Sequence, residues 1–353
     1  MIDLLEQLLN IPSPTFHEQE KVKFIREWCT EHLGEIDFIE HYDSLIVKFP
    51  ETEGLPHVAL VGHSDVVPKH FTAYTEDGRL HGSGASDMLG AIAAYMEIMR
   101  EHRDAILKKY NISLLIYARE EGTPLPDNGL YDLIEFIPEY FDSVDMAIVG
   151  EPTDNTIQVG CVGSLHAAVK VTGLACHSAR PWNGENALYK ALPFINKMAE
   201  IEHQKHTLFG VDFFDVISIT ESSCEPGRTS LPGYWECNVN FRFAPVYTPE
   251  EAEKKLIDMV NSWNVNGLEI RIKDTAPAGS VIESETFSQL VKALGAPVQA
   301  KQAWTDVAQL SARKISAFNF GPGLTAQAHK DNEYILIEDC KTYYKMLVNA
   351  LTK

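Results

Sequence analysis

Apolar and polar positions in the first part of the chain alternate between two patterns. Strands are predicted at 44–49 and 57–62, and continuous apolar runs of the kind found in strands buried on both faces occur at 112–118 and 145–150. Between them, helices are predicted at 17–33, where apolar residues recur at helical spacing, and at 90–102, which is mostly small and apolar. Strand–helix alternation predicts an α/β fold with a mostly parallel central sheet flanked by helices. In such folds, functional residues gather at the carboxyl ends of the strands.

The pattern changes after about residue 163. The segment 164–173 alternates between apolar and polar residues, as a half-exposed strand does. The elements predicted after it are a helix at 185–200, strands at 213–220, 234–243 and 268–273, and a helix at 249–262. The α/β pattern then resumes with helices at 284–294, 305–313 and 336–350 and a strand at 315–320. The simplest interpretation is an α/β domain, 1–163 and 279–353, interrupted by an inserted α+β domain, 164–278.

Composition limits the class of protein. The chain has 353 residues, of which 45% are hydrophobic and 23% charged, as in a globular protein with one large or two medium domains. No apolar run approaches the length of a membrane span, so no membrane association is expected. The formal net charge of −20 and the lack of a basic run argue against a nucleic-acid partner. An anionic substrate would therefore need a local cluster of arginines.

The cysteines and the N-terminal residues indicate the cellular compartment of the protein. The cysteines are scattered without any CxxC pair, which favours reduced thiols in the cytoplasm over a disulfide framework. They are Cys29, Cys161, Cys176, Cys224, Cys237 and Cys340. The opening stretch MIDLLEQLLNIPSPT has two acidic and no basic residues, unlike a secretory signal. We therefore expect a cytoplasmic protein.

The buried run in VALVGHSDVVP ends on two polar groups. His63 and Asp65 are two residues apart, so a strand places them on the same face. Such a pair suits a metal site, in which one group ligates and the other orients it, or a proton relay. The alternative is an exposed polar loop after a strand.

Further polar residues lie at similar junctions. Asp87 stands in the glycine-rich loop HGSGASDMLGA before a helix, and Glu120 and Glu121 end the strand of LLIYAREEG. Glu151 follows the next buried strand, and His329 lies in a loop before the last helix. Adjacent carboxylates are costly unless a cation or a proton offsets their charge.

Each residue alone has a simpler explanation. Asp87 can cap a helix, Glu120 and Glu121 can form a solvated strand end, and Glu151 or His329 can be surface residues. Taken together, two histidines and several carboxylates at one edge of a parallel sheet form the ligand set of zinc and similar metals. The carboxylates suffice for two metals.

Other catalytic motifs are missing from the sequence. The glycine-rich loop departs from the dinucleotide pattern GxGxxG because Asp87 replaces the third glycine. HExxH, GxSxG and GxxxxGK[ST] do not occur.

Six segments resemble a known family. In chain order they are GHSDVVP, GSGASDMLG, AREEG, VGEPT, GLACHSARP and FGPG…AHKDNE. Together they resemble the di-zinc amidohydrolases and exopeptidases that include acetylornithine deacetylase, succinyl-diaminopimelate desuccinylase and aminoacylase. The match spans essentially the whole chain, and the set is specific although no single segment is.

The resemblance implies two Zn²⁺ ions per chain. It assigns His63 and Glu151 to one zinc, Glu121 and His329 to the other, and Asp87 to a bridge between both. Cobalt or manganese could occupy the same ligands.

The resemblance also implies catalytic roles. Asp65 orients the ring of His63, and Glu120 is the general base that takes a proton from water and passes it to the leaving amine. His177, in ACHSARPW, reaches the active site of the partner subunit and stabilises the oxyanion. The parts 1–163 and 279–353 are then a catalytic domain, and 164–278 is a dimerisation (lid) domain of a homodimer.

Longer segments most resemble the succinyl-diaminopimelate desuccinylase branch. Its substrate carries several carboxylates, and the candidate arginines for binding them are Arg180, Arg228 and Arg242. We favour Arg242 because it ends an apolar strand in FRF.

Two departures from the sequences of relatives leave the identity of the acyl group open. Cys161-Val162 stand before Gly163, where relatives have an arginine, and 229–232 reads TSLP where many have Asn-x-Ile-Pro. The expected reaction is hydrolysis of an N-acyl amino acid, N-succinyl-diaminopimelate first. The alternatives are another deacylase, of the acetylornithine or acetylcitrulline type, a dipeptidase, or a catalytically silent homologue that only binds.

Overall fold

The structure, a computed structural model, describes residues 1–68 and 70–353 in two compact units. Unit 1 contains 1–160, 280–299 and 305–353, and unit 2 contains 161–279 and 300–304. The predicted boundaries place 300–304 in the first domain. These residues instead associate with unit 2, where the N–H of Val162 donates to the carbonyl oxygen of Lys301 at 3.2 Å.

The regular elements of the described residues are numbered in chain order. The α-helices are α1 (Ile2–Leu9), α2 (Gln19–His32), α3 (Gly90–Ile106), α4 (Gly129–Phe136), α5 (Pro138–Asp142), α6 (Ala187–Ala199), α7 (Pro249–Ser262), α8 (Glu285–Leu294), α9 (Val307–Ala312) and α10 (Ile337–Thr352). The strands are β1 (Asp37–His41), β2 (Ser44–Lys48), β3 (His57–His63), β4 (Tyr74–Glu76), β5 (Arg79–His81), β6 (Asn111–Tyr117), β7 (Met146–Val149), β8 (Ile157–Val159), β9 (Gly163–Thr172), β10 (Cys176–His177), β11 (Gln204–Leu208), β12 (Val211–Cys224), β13 (Ser230–Leu231), β14 (Tyr234–Phe243), β15 (Leu268–Ala276), β16 (Val298–Ala300), β17 (Ser316–Asn319) and β18 (Tyr334–Leu336).

The main sheet of unit 1 has the strand order β1-β2-β6-β3-β7-β17-β8-β16. Its middle strands β6, β3, β7 and β17 run parallel, and β1, β2 and β8 pair antiparallel at the sides. Every residue of β3 and β7 is buried, as their continuous apolar runs predicted. Side chains of α4, α5 and α9 share a core with this sheet. The predicted α/β class is confirmed.

Strand β17 occupies an interior place although it comes late in the chain. Ser316 pairs in parallel with Met146 of β7, and Phe318 pairs antiparallel with Val159 of β8. The sheet is therefore continuous only when residues on both sides of unit 2 have come together.

Unit 2 is built on an antiparallel sheet of order β11-β12-β14-β9-β15. The apolar residues of β9 and β14 share a core with α6 and α7, where Phe194 contacts the rings of Trp235 and Trp263 at centroid distances of 5.9 and 5.7 Å. Burial alternates along the second half of β9, which is the pattern of a sheet with one covered face. Within 1–68 and 70–353, no helix has both the length and the apolar character needed to cross a membrane.

Candidate metal centre

Two neighbouring parallel strands bring the first pair of ligands together. His63 is the last residue of β3, and Glu151 follows β7, with which β3 pairs at Val61 and Val149. The two strands therefore end at the same edge of the sheet. The buried His63 Nε2 lies 3.9 Å from Glu151 Oε1.

Asp87 stands between this pair and a second one. It lies in the irregular turn Ala85–Leu89 that leads into α3, and its Oδ1 is 3.2 Å from His63 Nε2. Its other oxygen, Oδ2, is 3.5 Å from His329 Nε2, which in turn is 2.9 Å from Glu121 Oε2. One ligand atom each of His63, Asp87 and Glu121 lie within 4.8 Å of one another. All five predicted ligands thus meet in unit 1, in two groups that share the carboxylate of Asp87.

The charges of the cluster match a cation site. Hydrogen bonds to Asp87 and Glu121 raise the pKa of His329 to about 11. Burial would lower the pKa of His63, but hydrogen bonds to Asp65 and Asp87 outweigh it and raise that pKa well above its ordinary value. Burial likewise opposes ionisation of Asp87, and the two imidazoles nevertheless hold its pKa below its ordinary value. Two imidazoles among three carboxylates form a donor set that fits zinc, and a bound cation would replace the imidazole protons.

Asp65 supports the cluster with both its side chain and its backbone. Its carboxylate accepts the N–H of Glu120 at 3.0 Å and that of Glu121 at 2.9 Å, together with the hydroxyl of Thr15 at 3.0 Å. His63 Nδ1 is 3.0 Å from the backbone oxygen of Asp65 and 3.5 Å from its Oδ1. The carboxylate therefore fixes the Glu120–Glu121 turn, while the nearer contact to the imidazole comes from the backbone.

Glu120 has the electrostatic setting of a proton carrier. Its side chain is partly buried beside the cluster, and burial raises its pKa well above the ordinary value. The charges of Glu151, Asp306 and Glu121 act in the same direction, and that of His63 opposes them. A carboxyl group with a raised pKa takes up a proton more readily than an ordinary carboxylate, which suits a group that transfers protons.

Two buried carboxylates near the proposed metal ligands, Asp306 and Glu333, were not predicted from the sequence. Asp306 is fully buried and accepts hydrogen bonds from the Tyr117 hydroxyl and from the side-chain amides of Gln309 and Asn128. An aspartate before a short helix gives no sequence signal for this network, because its partners come from distant segments.

Glu333 is the other missed carboxylate. It is 2% exposed and accepts the backbone N–H groups of Gly84, Ser86 and Asp87. Burial raises its pKa to about 7, and the three N–H donors act in the opposite direction. The segment AHKDNE contains both His329 and Glu333, so the only sequence signal was proximity to a ligand.

The remaining predicted site residues belong to unit 2. His177 is exposed on β10, which pairs with β13, and its Nδ1 accepts the N–H of Ala179 at 3.1 Å. Arg180 and Arg228 are exposed. Arg242, on β14, is half-buried, its Nε donates to the side-chain oxygen of Asn240 at 3.0 Å, and burial lowers its pKa.

Comparison with known proteins identifies the family. The sequence profile of peptidase family M20/M25/M40 matches residues 59–353. The chain belongs to this family. The resemblance inferred from the six motifs is thereby confirmed, and the M20 chain is a metal-dependent hydrolase of amide bonds.

Individual relatives align with this chain over nearly its whole length. The succinyl-diaminopimelate desuccinylase of Corynebacterium glutamicum is 31% identical over 361 aligned positions, which cover 100% of this chain and 96% of the relative. The crystal structure of a tripeptidase from Staphylococcus aureus has a TM-score of 0.80 at 18% identity and covers 99% of this chain and 96% of its own. The M20 metallo-carboxypeptidase of Sulfolobus solfataricus has a TM-score of 0.73 at 18% identity, with 99% and 98% covered. The two structures support the fold.

Proposed function

We propose that the protein hydrolyses the amide bond of an N-acyl amino acid, with N-succinyl-diaminopimelate as its substrate and succinate and diaminopimelate as its products. The observation that carries the chemistry is the placement of His63 and His329 on different oxygens of Asp87. The identity of 31% to a desuccinylase over the full chain supports this substrate and a place in lysine biosynthesis. Six cysteines without a disulfide among the described residues fit the reducing cytoplasm.

The cluster would hold two zinc ions. His63 and Glu151 would bind one, His329 and Glu121 the other, and Asp87 both. The ions would polarise the scissile carbonyl and lower the pKa of the attacking water. Cobalt or manganese would suit the same donors.

Glu120 moves the proton in this proposal. Its carboxylate accepts a proton from the attacking water as the C–O bond forms, and it returns that proton to the nitrogen as the C–N bond breaks. Asp65 binds the N–H groups of Glu120 and Glu121, and this contact fixes the base relative to the ligand beside it.

The arginines of unit 2 supply the positive charge that an anionic acyl group needs. Arg180, Arg228 and Arg242 are the candidates, in a chain whose net charge is −20. Arg242 donates to the neutral amide of Asn240, so that contact leaves its charge available for a substrate carboxylate.

Turnover of a defined panel tests the substrate. The zinc-loaded protein is assayed with N-succinyl-diaminopimelate, N-acetylornithine, N-acetylcitrulline and several dipeptides. We expect kcat/KM for the succinyl compound to exceed the others by at least about 100-fold. A ligand without the matching carboxylate leaves the buried polar groups of the pocket without hydrogen-bond partners. Activity confined to acetyl or peptide substrates would retain the chemistry and overturn the substrate. No turnover with two zincs bound would favour an acyl substrate outside this panel before a silent binding homologue.

We further propose a homodimer in which His177 acts in the partner's site. Unit 2 leaves large apolar side chains exposed, including Leu174 at 57%, Trp182 at 77% and Tyr189 at 68%, as a protein interface does.

Mixing two inactive variants tests this arrangement. His177→Ala removes an oxyanion donor and Glu120→Gln removes the base, so each homodimer should lose about 100-fold or more in kcat. After co-refolding, the heterodimer has one site with Glu120 of one chain and His177 of the other. Random pairing should therefore restore about a quarter of wild-type activity. A mixture as inactive as its parents would show that His177 does not act in trans.

A further inference from the structure

The carboxylate of Glu333 lies inside the loop that carries Asp87. Its Oε2 accepts the N–H of Gly84 at 2.9 Å, and its Oε1 accepts those of Ser86 at 2.8 Å and Asp87 at 3.0 Å. Three backbone donors on one carboxylate form a specific anchor, because charge-assisted hydrogen bonds are stronger than neutral ones.

The same loop is tied to the C-terminal segment at further points. The Ser86 hydroxyl donates to the Tyr334 carbonyl at 2.8 Å and accepts the N–H of Leu324 at 3.1 Å. The N–H of Gly82 donates to the Glu333 carbonyl at 3.1 Å. His329 lies between Leu324 and Glu333, so the segment that presents this imidazole is held against the Asp87 loop on both sides.

This anchoring matters because Asp87 has to serve two sites at once. Its two oxygens face His63 and His329 at 3.2 and 3.5 Å. A rotation of the backbone at Asp87 would move both oxygens together and spoil both contacts. The bond from the Asp87 N–H to Glu333 restrains that rotation at the residue itself.

We propose that Glu333 is a positioning residue that sets the geometry of the two-metal site by joining the bridging carboxylate of Asp87 to the segment of His329. This inference rests on the proposed two-metal function. Glu333 acts through the backbone of Asp87, as outer residues that orient metal ligands do.

Glu333→Gln is the primary test. The amide keeps the shape of the carboxylate, but its NH₂ group cannot accept a hydrogen bond, so at least one backbone N–H loses its partner. We expect zinc binding by the folded variant to weaken about 10–100-fold, with a similar fall in kcat and little change in KM. Zinc affinity is measured by competition with a chromogenic chelator, and excess zinc should restore part of the activity.

Asp215→Asn is the matched control. Asp215 is a buried carboxylate of unit 2 that accepts the backbone N–H of Ala244 at 2.9 Å. Its replacement should lower the melting temperature and leave zinc affinity unchanged. The inference is wrong if folded Glu333→Gln binds two zincs with wild-type affinity, or if Asp215→Asn weakens zinc binding equally.

A second variant covers the case in which Glu333→Gln does not fold. Glu333→Asp keeps the negative charge but shortens the side chain by one methylene group, so its oxygens reach fewer of the three N–H groups, and it should weaken zinc binding by a smaller factor. Wild-type zinc affinity in folded Glu333→Asp would then overturn the inference. A wild-type protein that does not bind two zincs would instead overturn the proposed function.

Discussion

Glu120→Gln is expected to abolish turnover while both zincs remain bound. The amide has the shape of the carboxyl group but cannot take a proton from water, and proton transfer of this kind contributes about 10²–10⁴ in rate. The proposed metal ligands of the cluster are unchanged, because Glu120 is not among them. The measurements are kcat at saturating substrate and zinc per chain after dialysis.

Glu139→Gln provides the matched control for this change. Glu139 is an exposed glutamate on α5 of the same unit, and its substitution should leave kcat and zinc content unchanged. A Glu120→Gln enzyme that keeps kcat within about threefold of wild type would remove Glu120 from the mechanism. Loss of zinc from Glu120→Gln would make it a ligand instead of the base.

Asp87→Asn is expected to reduce metal binding and activity together. The amide presents one oxygen and one NH₂ group, so only one of the two histidine-facing positions keeps an acceptor. The negative charge that the imidazoles stabilise is lost as well. We expect zinc affinity to fall by more than about 100-fold and kcat to fall below detection. Even substitutions of residues that only orient a metal ligand lower metal affinity by about 10–100-fold.

Asp87→Asn and Glu120→Gln should differ in their zinc content. Zinc per chain is determined after dialysis at a buffered free zinc concentration, and folding is checked by circular dichroism. Asp87→Asn should lose zinc where Glu120→Gln keeps it. Two zincs held with wild-type affinity by Asp87→Asn would exclude a bridging role for this carboxylate.

The sequence predicted the fold well wherever periodicity and local signals agreed. Strand β14 and helix α7 have the predicted limits. At α7 a capping box of Thr248 and Glu251 and a proline at the first helical position mark the start. The strands β4, β5 and β18 have three residues each, too few for a periodic pattern, and they were not predicted. Helix α1 was also not assigned, although its buried residues recur at helical spacing.

The same distinction applies to the site residues. Some have a local signal in the sequence, and others are defined only by contacts with distant segments. The residues that meet around Asp87 were found because each follows a buried strand or precedes a helix and because the motifs match a family. Glu333 and Asp306 were missed because their importance lies in which distant backbone and side-chain groups they contact. No spacing rule gives the three N–H partners of Glu333, since tertiary structure alone brings residues 84–87 to it.

The interior place of β17 has a consequence for synthesis of the chain. Domains generally form from the N-terminal side as the ribosome extends the polypeptide. Until residue 319 has emerged, the nascent chain has β7 without the strand that belongs between it and β8. An unpaired apolar strand is a template for association with other chains. The nascent protein therefore passes through a stage at which chaperones have a defined strand edge to shield, and a fragment that stops within unit 2 would keep that edge permanently.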